Sequence, residues 1–193
     1  MESTTTALPD TLARKGELHV VITAEHPELI KYSADEAWFD EEGRLHLKHH
    51  NAYVNTGLNN ALDLEWGLGG VAIGWIGVDN NSTAVTAATT FLHGAGAGSA
   101  ATTIIKAISP AATRTNQVTT GGATFVNADF TSGVFVINKI GLLATSTDAG
   151  TRLVDVIGGT AGSAPYNRTF SMDLTGVGTF SFTAQVAVTG TAV

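Results

Sequence analysis

Six histidines, His19, His26, His46, His49, His50 and His93, are the side chains best suited to chemistry in this chain. Imidazole is a common metal ligand and proton carrier. On a strand, His46 and His50 would share one face two pleats apart, with Lys48 between them. An ammonium there adds positive charge where a divalent cation needs compensation. No carboxylate or cysteine stands at a ligand spacing beside them. The pattern therefore points to a polar strand face or an inter-subunit contact, and no metal is expected. Asp40 and Glu42 could be read as a carboxylate pair for glycoside hydrolysis, but acids clustered in a loop are more simply solvated. Gly94–Gly98 lacks the Lys-Ser/Thr of a phosphate loop, and Gly67-Leu68-Gly69-Gly70 has no βαβ unit around it. No serine sits in a Gly-x-Ser-x-Gly elbow. Neither a catalytic residue nor a cofactor or small-molecule substrate is expected. Among the aromatics, Trp75 interrupts an apolar run and reads as core. Trp38-Phe39 stands in an acidic stretch and reads as an interface anchor, because large aromatics dominate protein–protein hot spots.

The elements that must carry these residues are short β segments. The 193-residue length suits one domain, or one domain with an arm. Charged residues make up only 14%, against a usual quarter, and mean hydropathy is +0.17. Low charge with abundant Thr, Ala, Val and Gly fits a β protein that covers much of its surface against copies of itself or neighbours. Residues 1–79 hold 13 acids against five Lys/Arg, while residues 80–193 hold four against five. An acidic first part and a near-neutral remainder lack the basic patch that nucleic acid requires. The chain has no cysteine, so packing and assembly must supply stability. Met1–Asp10 has no basic start or apolar core, and no run of 18 apolar residues occurs. Neither a signal peptide nor a membrane span is expected, and synthesis in a cytoplasm is.

Taken in order, residues 1–16 read as a flexible N-terminal arm, rich in Ser and Thr and carrying Leu8, Pro9 and Leu12. Leu18–Thr23 reads as a strand, residues 28–43 as an acidic loop, and Arg44–His49 as a half-buried strand. Asn51–Trp66 has apolar residues Val54, Leu58, Ala61, Leu62 and Trp66 near a 3.6 period, so a helix is expected, ended by Gly67. From Gly67 on, strands are expected over Val71–Val78, Thr102–Ile108, Gly133–Leu143 and Arg152–Ile157. Two more flank a Gly121-Gly122 turn. Thr179–Val188 alternates strictly, with Phe180, Phe182, Ala184, Val186 and Val188 on one face and Ser181, Thr183 and Gln185 on the other. That is an antiparallel strand with one core face. The fold class expected is mainly β: an antiparallel β-sandwich or jelly-roll-like domain with one short helix and an extended N-terminal arm. Residues 17–66 and 67–193 are expected to share one domain.

The segment Asn51-Ala-Tyr-Val-Asn55-Thr-Gly57-Leu-Asn59-Asn60-Ala61-Leu62-Asp63, followed by Ile73-Gly74-Trp75-Ile76-Gly77-Val78, resembles a family of tailed-bacteriophage virion proteins. In that family a similar helix leads into a Trp- and Gly-containing strand. Thr83–Leu92, Ile137-Asn138-Lys139-Ile140-Gly141-Leu142-Leu143 and Arg168-Thr169-Phe170 with the alternating tail strand resemble its later segments. The resemblance covers roughly residues 50–190 and rests on the order and spacing of motifs. Gly176 and Gly178 stand where the family has a Gly-Asp pair. It implies a non-enzymatic virion protein, with capsid decoration as the leading expectation. Such a protein would bind the major capsid protein lattice and copies of itself, as a trimer or dimer, on the phage capsid surface. Leu8, Pro9, Leu12, Trp38 and Phe39 are the interface residues expected. A tail or head–tail component and a carbohydrate-binding β-sandwich module are the alternatives.

Overall fold

The computed structural model describes residues 15–33, 37–50, 55–94, 96, 98, 102–115, 118–130, 136–148, 150, 153–159 and 169–191. Leu8, Pro9 and Leu12, and with them nearly all of the expected arm, lie outside the described residues. The described elements run β1 (Lys15–Ala24), β2 (Ile30–Ser33), β3 (Ala37–Phe39), β4 (Leu45–His50), α1 (Asn55–Trp66), β5 (Trp75–Asp79) and β6 (Thr103–Ala107). They continue with β7 (Thr113–Thr115), β8 (Val118–Val126), β9 (Val136–Ile137), β10 (Lys139–Leu143), β11 (Leu153–Gly158), β12 (Thr169–Asp173) and β13 (Ser181–Thr191).

The fold is mainly β with one short helix, and every strand pairing among the described residues is antiparallel. One sheet has the order β3-β4-β1-β13-β8-β7, a second β11-β10-β5-β6, and a third β2-β12-β9. A bridge between Gly159 and Phe170 ties the second sheet to the third. The six-stranded sheet turns Val20, Ile22, Leu45, Leu47, Phe125, Phe182 and Ala184 inward. They meet Ile76, Val78, Ile140 and Leu142 of the second sheet, and Ile30, Phe170 and Met172 of the third, in one core. Each such Val, Leu, Ile, Phe or Met side chain stabilises the fold by about 1.5–3 kcal/mol relative to exposure. Residues from both sides of position 67 build this core.

β13 holds the centre of the large sheet. It pairs with β1 from Lys15↔Thr191 to Ala24↔Phe182 and with β8 from Ser181↔Val126 to Thr189↔Val118. Its alternation is the one read from sequence: Phe182, Ala184 and Val186 are buried, and Gln185 is exposed. Phe180, just before the strand, is buried as well.

Three expectations are corrected. Gly121-Gly122 is no turn but part of the unbroken strand β8. Ile108 occupies the space above Gly121, and Gln185 that above Gly122, so the missing side chains accommodate neighbours. Residues 28–43 are not all loop, since they contribute the strands β2 and β3. The run Gly133–Leu143 is not one continuous strand: it breaks at Asn138, where the chain passes from β9 in the third sheet to β10 in the second.

Candidate functional site

The β3–β4 hairpin positions Trp38 and Phe39 on the short edge strand of the large sheet, each 40% exposed. Its turn is built on Asp40. Asp40 Oδ1 accepts the backbone N–H of Glu42 (3.1 Å) and of Arg44 (2.8 Å), and Gly43 takes a φ of +75°. Asp40 Oδ2 accepts Arg44 Nε (2.6 Å) and is 2.8 Å from His46 Nε2. His46 Nδ1 is 2.9 Å from His19 Nε2, and Trp38 stacks on the His46 ring at 4.8 Å and 9°. Lys48 Nζ lies 5.7 Å from the Trp38 ring centre, within cation–π range. Partial burial pushes the Asp40 carboxyl up. The hydrogen bonds from His46 and Arg44, with the Arg44 charge, outweigh it and hold the carboxyl well below the usual carboxylate range. Asp40 is therefore not the solvated loop acid expected; it is the post of the hairpin. Phe39 rests edge-on against Tyr32 of β2.

Helix α1 presents a second surface. Thr56 Oγ1 donates to the Leu153 carbonyl (2.7 Å), and a Cβ on Gly57 would lie 2.0 Å from the Val154 carbonyl oxygen. The helix backbone thus presses on β11 where only glycine fits. Asn60 clamps Val71 through both backbone groups, at 2.8 and 2.9 Å. At the far end Gly67 (φ +67°) donates to Leu64, and Leu68 donates to Asp63, the paired bonds of a Schellman stop. Because Thr56, Gly57 and Asn60 dock, the opposite face turns outward. Leu58, Leu62 and Trp66, spaced i, i+4, i+8, are exposed, Trp66 at 75%. Leu64 is exposed as well, and Leu68 is 73% exposed. Leu58, Leu62 and Trp66, three of the apolar positions whose period indicates the helix, thus face solvent.

A third cluster is buried. Asp79, Thr103, Lys139 and Asp148 are all nearly inaccessible. Asp148 accepts the backbone N–H of Leu92 (2.7 Å), His93 (3.0 Å) and Gly98 (3.3 Å), gathering the glycine-rich loop. Asp79 accepts the Thr103 hydroxyl and the Asn81 N–H, and lies 3.1 Å from His93 Nδ1. A Cβ on Gly98 would collide with Thr103 Oγ1, so this glycine serves close packing. Sequence reading did not single this network out. Its signal is that Asp79 and Lys139 are charged residues bordering two long apolar runs.

On the outer face of the large sheet, the Pro110–Thr113 segment borders a groove of about 370 Å³ lined by Val21, Thr120, Gln185 and Ala187. Among the described residues no titratable side chain lines it. Trp75 packs against the small cluster of Val85, Leu92, Leu143, Leu153 and Val156. The side chains of His49 and His50 lie outside the described residues. Among the described residues no group of three or more His, Asp or Glu is arranged to hold a metal ion, and no helix is long and apolar enough to cross a membrane. No protein-family model, curated protein or solved structure matches the chain.

Proposed function

We propose that this chain is a non-enzymatic structural protein of a tailed-phage virion, a decoration protein that binds the major capsid protein lattice and copies of itself. The observation that carries the reading is the outward apolar face of α1. A soluble monomer rarely leaves Leu58, Leu62, Trp66 and Leu68 uncovered side by side, and such patches mark surfaces that become buried on assembly. Trp38 and Phe39 on the hairpin edge add a second aromatic contact of the hot-spot type. The motif order from residue 50 to 190 supplies the virion context. Repetition over a lattice makes modest affinity at each contact sufficient.

The carbohydrate-binding alternative has less support, because Trp38 gives one ring face to His46. A tail or head–tail position uses the same surfaces and differs in copy number.

The experiment is binding of the purified chain to particles of the encoding phage that lack it. The wild type is expected to saturate the particles. A variant carrying L58S, L62S and W66S is expected to stay folded and bind at least tenfold more weakly, about 1.4 kcal/mol or more. Equal binding by the two would remove α1 from the interface.

A further inference from the structure

Lys139 is a fully buried lysine in the middle of a sheet, on β10 opposite Asp79 of β5. Its Nζ ends 2.9 Å from Thr83 Oγ1 and 3.2 Å from Asn81 Oδ1. Among the described residues no carboxylate lies within ion-pair distance of it. Burial lowers the pKa of this ammonium, and Asp79 and Asp148 offset that only in part. A buried amine driven toward its neutral form is a nucleophile. The group it meets is activated as well. Asn81 Oδ1 accepts both the Thr83 N–H (2.8 Å) and the Thr83 hydroxyl (2.5 Å). Two donors converging on a carbonyl oxygen polarise the carbon and hold the oxyanion that forms on attack.

We propose that Lys139 and Asn81 join in an intramolecular isopeptide cross-link. The Lys139 Nζ lone pair attacks Asn81 Cγ, and the tetrahedral oxyanion rests on the Thr83 N–H and O–H. The Cγ–Nδ2 bond then breaks, and ammonia leaves with the proton that the amine gives up. One primary amine and one carboxamide become one secondary amide and one ammonia, with no oxidant or other reactant. Thr83 Oγ1 meets both the amine and the carboxamide oxygen and so holds the two reacting groups together, while the proton passes from Nζ to the departing Nδ2. Asp79 and Asp148 balance the transient positive charge on nitrogen. The bond ties the turn after β5 to β10, the two central strands of the four-stranded sheet. It stands whether or not the chain belongs to a virion.

The test is the intact mass of the purified full chain under denaturing conditions, followed by peptide mapping. The expected result is a chain one ammonia lighter than its sequence, with a branched peptide joining the segments of Asn81 and Lys139. N81A and K139M are expected to show their full sequence masses, and T83A a mixture of linked and unlinked chains. A wild-type chain of full sequence mass with both peptides linear would overturn the proposal. So would an ammonia-lighter chain whose Lys139 peptide is linear, since that is a cyclic imide at Asn81. The wild-type mass decides the matter even where a variant does not fold.

Discussion

Asp40 shows how one side chain can set an exposed edge. It closes the turn with two backbone donors, pairs with Arg44, and orients the imidazole on which Trp38 stacks. Its carboxyl titrates lower in the folded chain than in the unfolded one. Its contribution to stability is therefore complete above the ordinary aspartate value of about 3.9 and is lost as pH falls toward the folded value. D40N is expected to lower the urea midpoint at neutral pH, with the gap to wild type closing in acid. A gap that stays constant across that range would mean the charge of Asp40 does not matter. In the core, Phe125 stacks on Phe182 at 5.0 Å and 13°, and both are buried. F125A is expected to cost about 3–5 kcal/mol in denaturant unfolding. A loss below 1 kcal/mol would show that this cross-strand pair does not anchor the large sheet to the core.

At the level of elements, α1 is held by contacts that leave no room. G57A places a methyl against the Val154 carbonyl and is expected to destabilise by about 1–3 kcal/mol or to release the helix, visible as lost helical ellipticity. An unchanged midpoint and spectrum would contradict that docking. How far the elements can be read from sequence depends on what fixes each one. β13 is legible because alternation over a long stretch admits a single arrangement, one face on the core. The stop at Gly67 is legible because a left-handed residue after a helix calls for glycine. β3 is not legible, since three residues within an acidic run carry no periodicity and the strand exists only through its pairing with β4. Gly121-Gly122 misleads because glycine usually punctuates, whereas here Ile108 and Gln185 fill the space it leaves. The orientation of α1 is hidden for a related reason. Leu58, Leu62 and Trp66 form an apolar stripe, and nothing in the stripe tells whether its partner is this chain's own core or another molecule. The buried network is only hinted at by the charges of Asp79 and Lys139 beside apolar runs, because these residues and Asp148 are far apart in sequence.

For the whole molecule, antiparallel sheets share one main core among the described residues, and on the proposed reading the apolar helix face and aromatic edge are its means of attachment. Free of partners, the chain is expected to self-associate through α1, and L58S, L62S and W66S together to shift it toward monomer in sedimentation. These exposed positions are expected to alter stability by no more than about 0.5 kcal/mol each. A wild type that is monomeric at high concentration would remove self-association through α1. The most direct test of the virion assignment is copy number per purified particle, by quantitative mass spectrometry against the major capsid protein. Decoration predicts a ratio near one, as when one trimer sits over each three-fold cluster of capsid subunits, or a simple fraction such as about one third if a single copy does. A handful of copies per particle would place the chain at the tail or portal vertex, and absence from the particle would contradict the assignment outright.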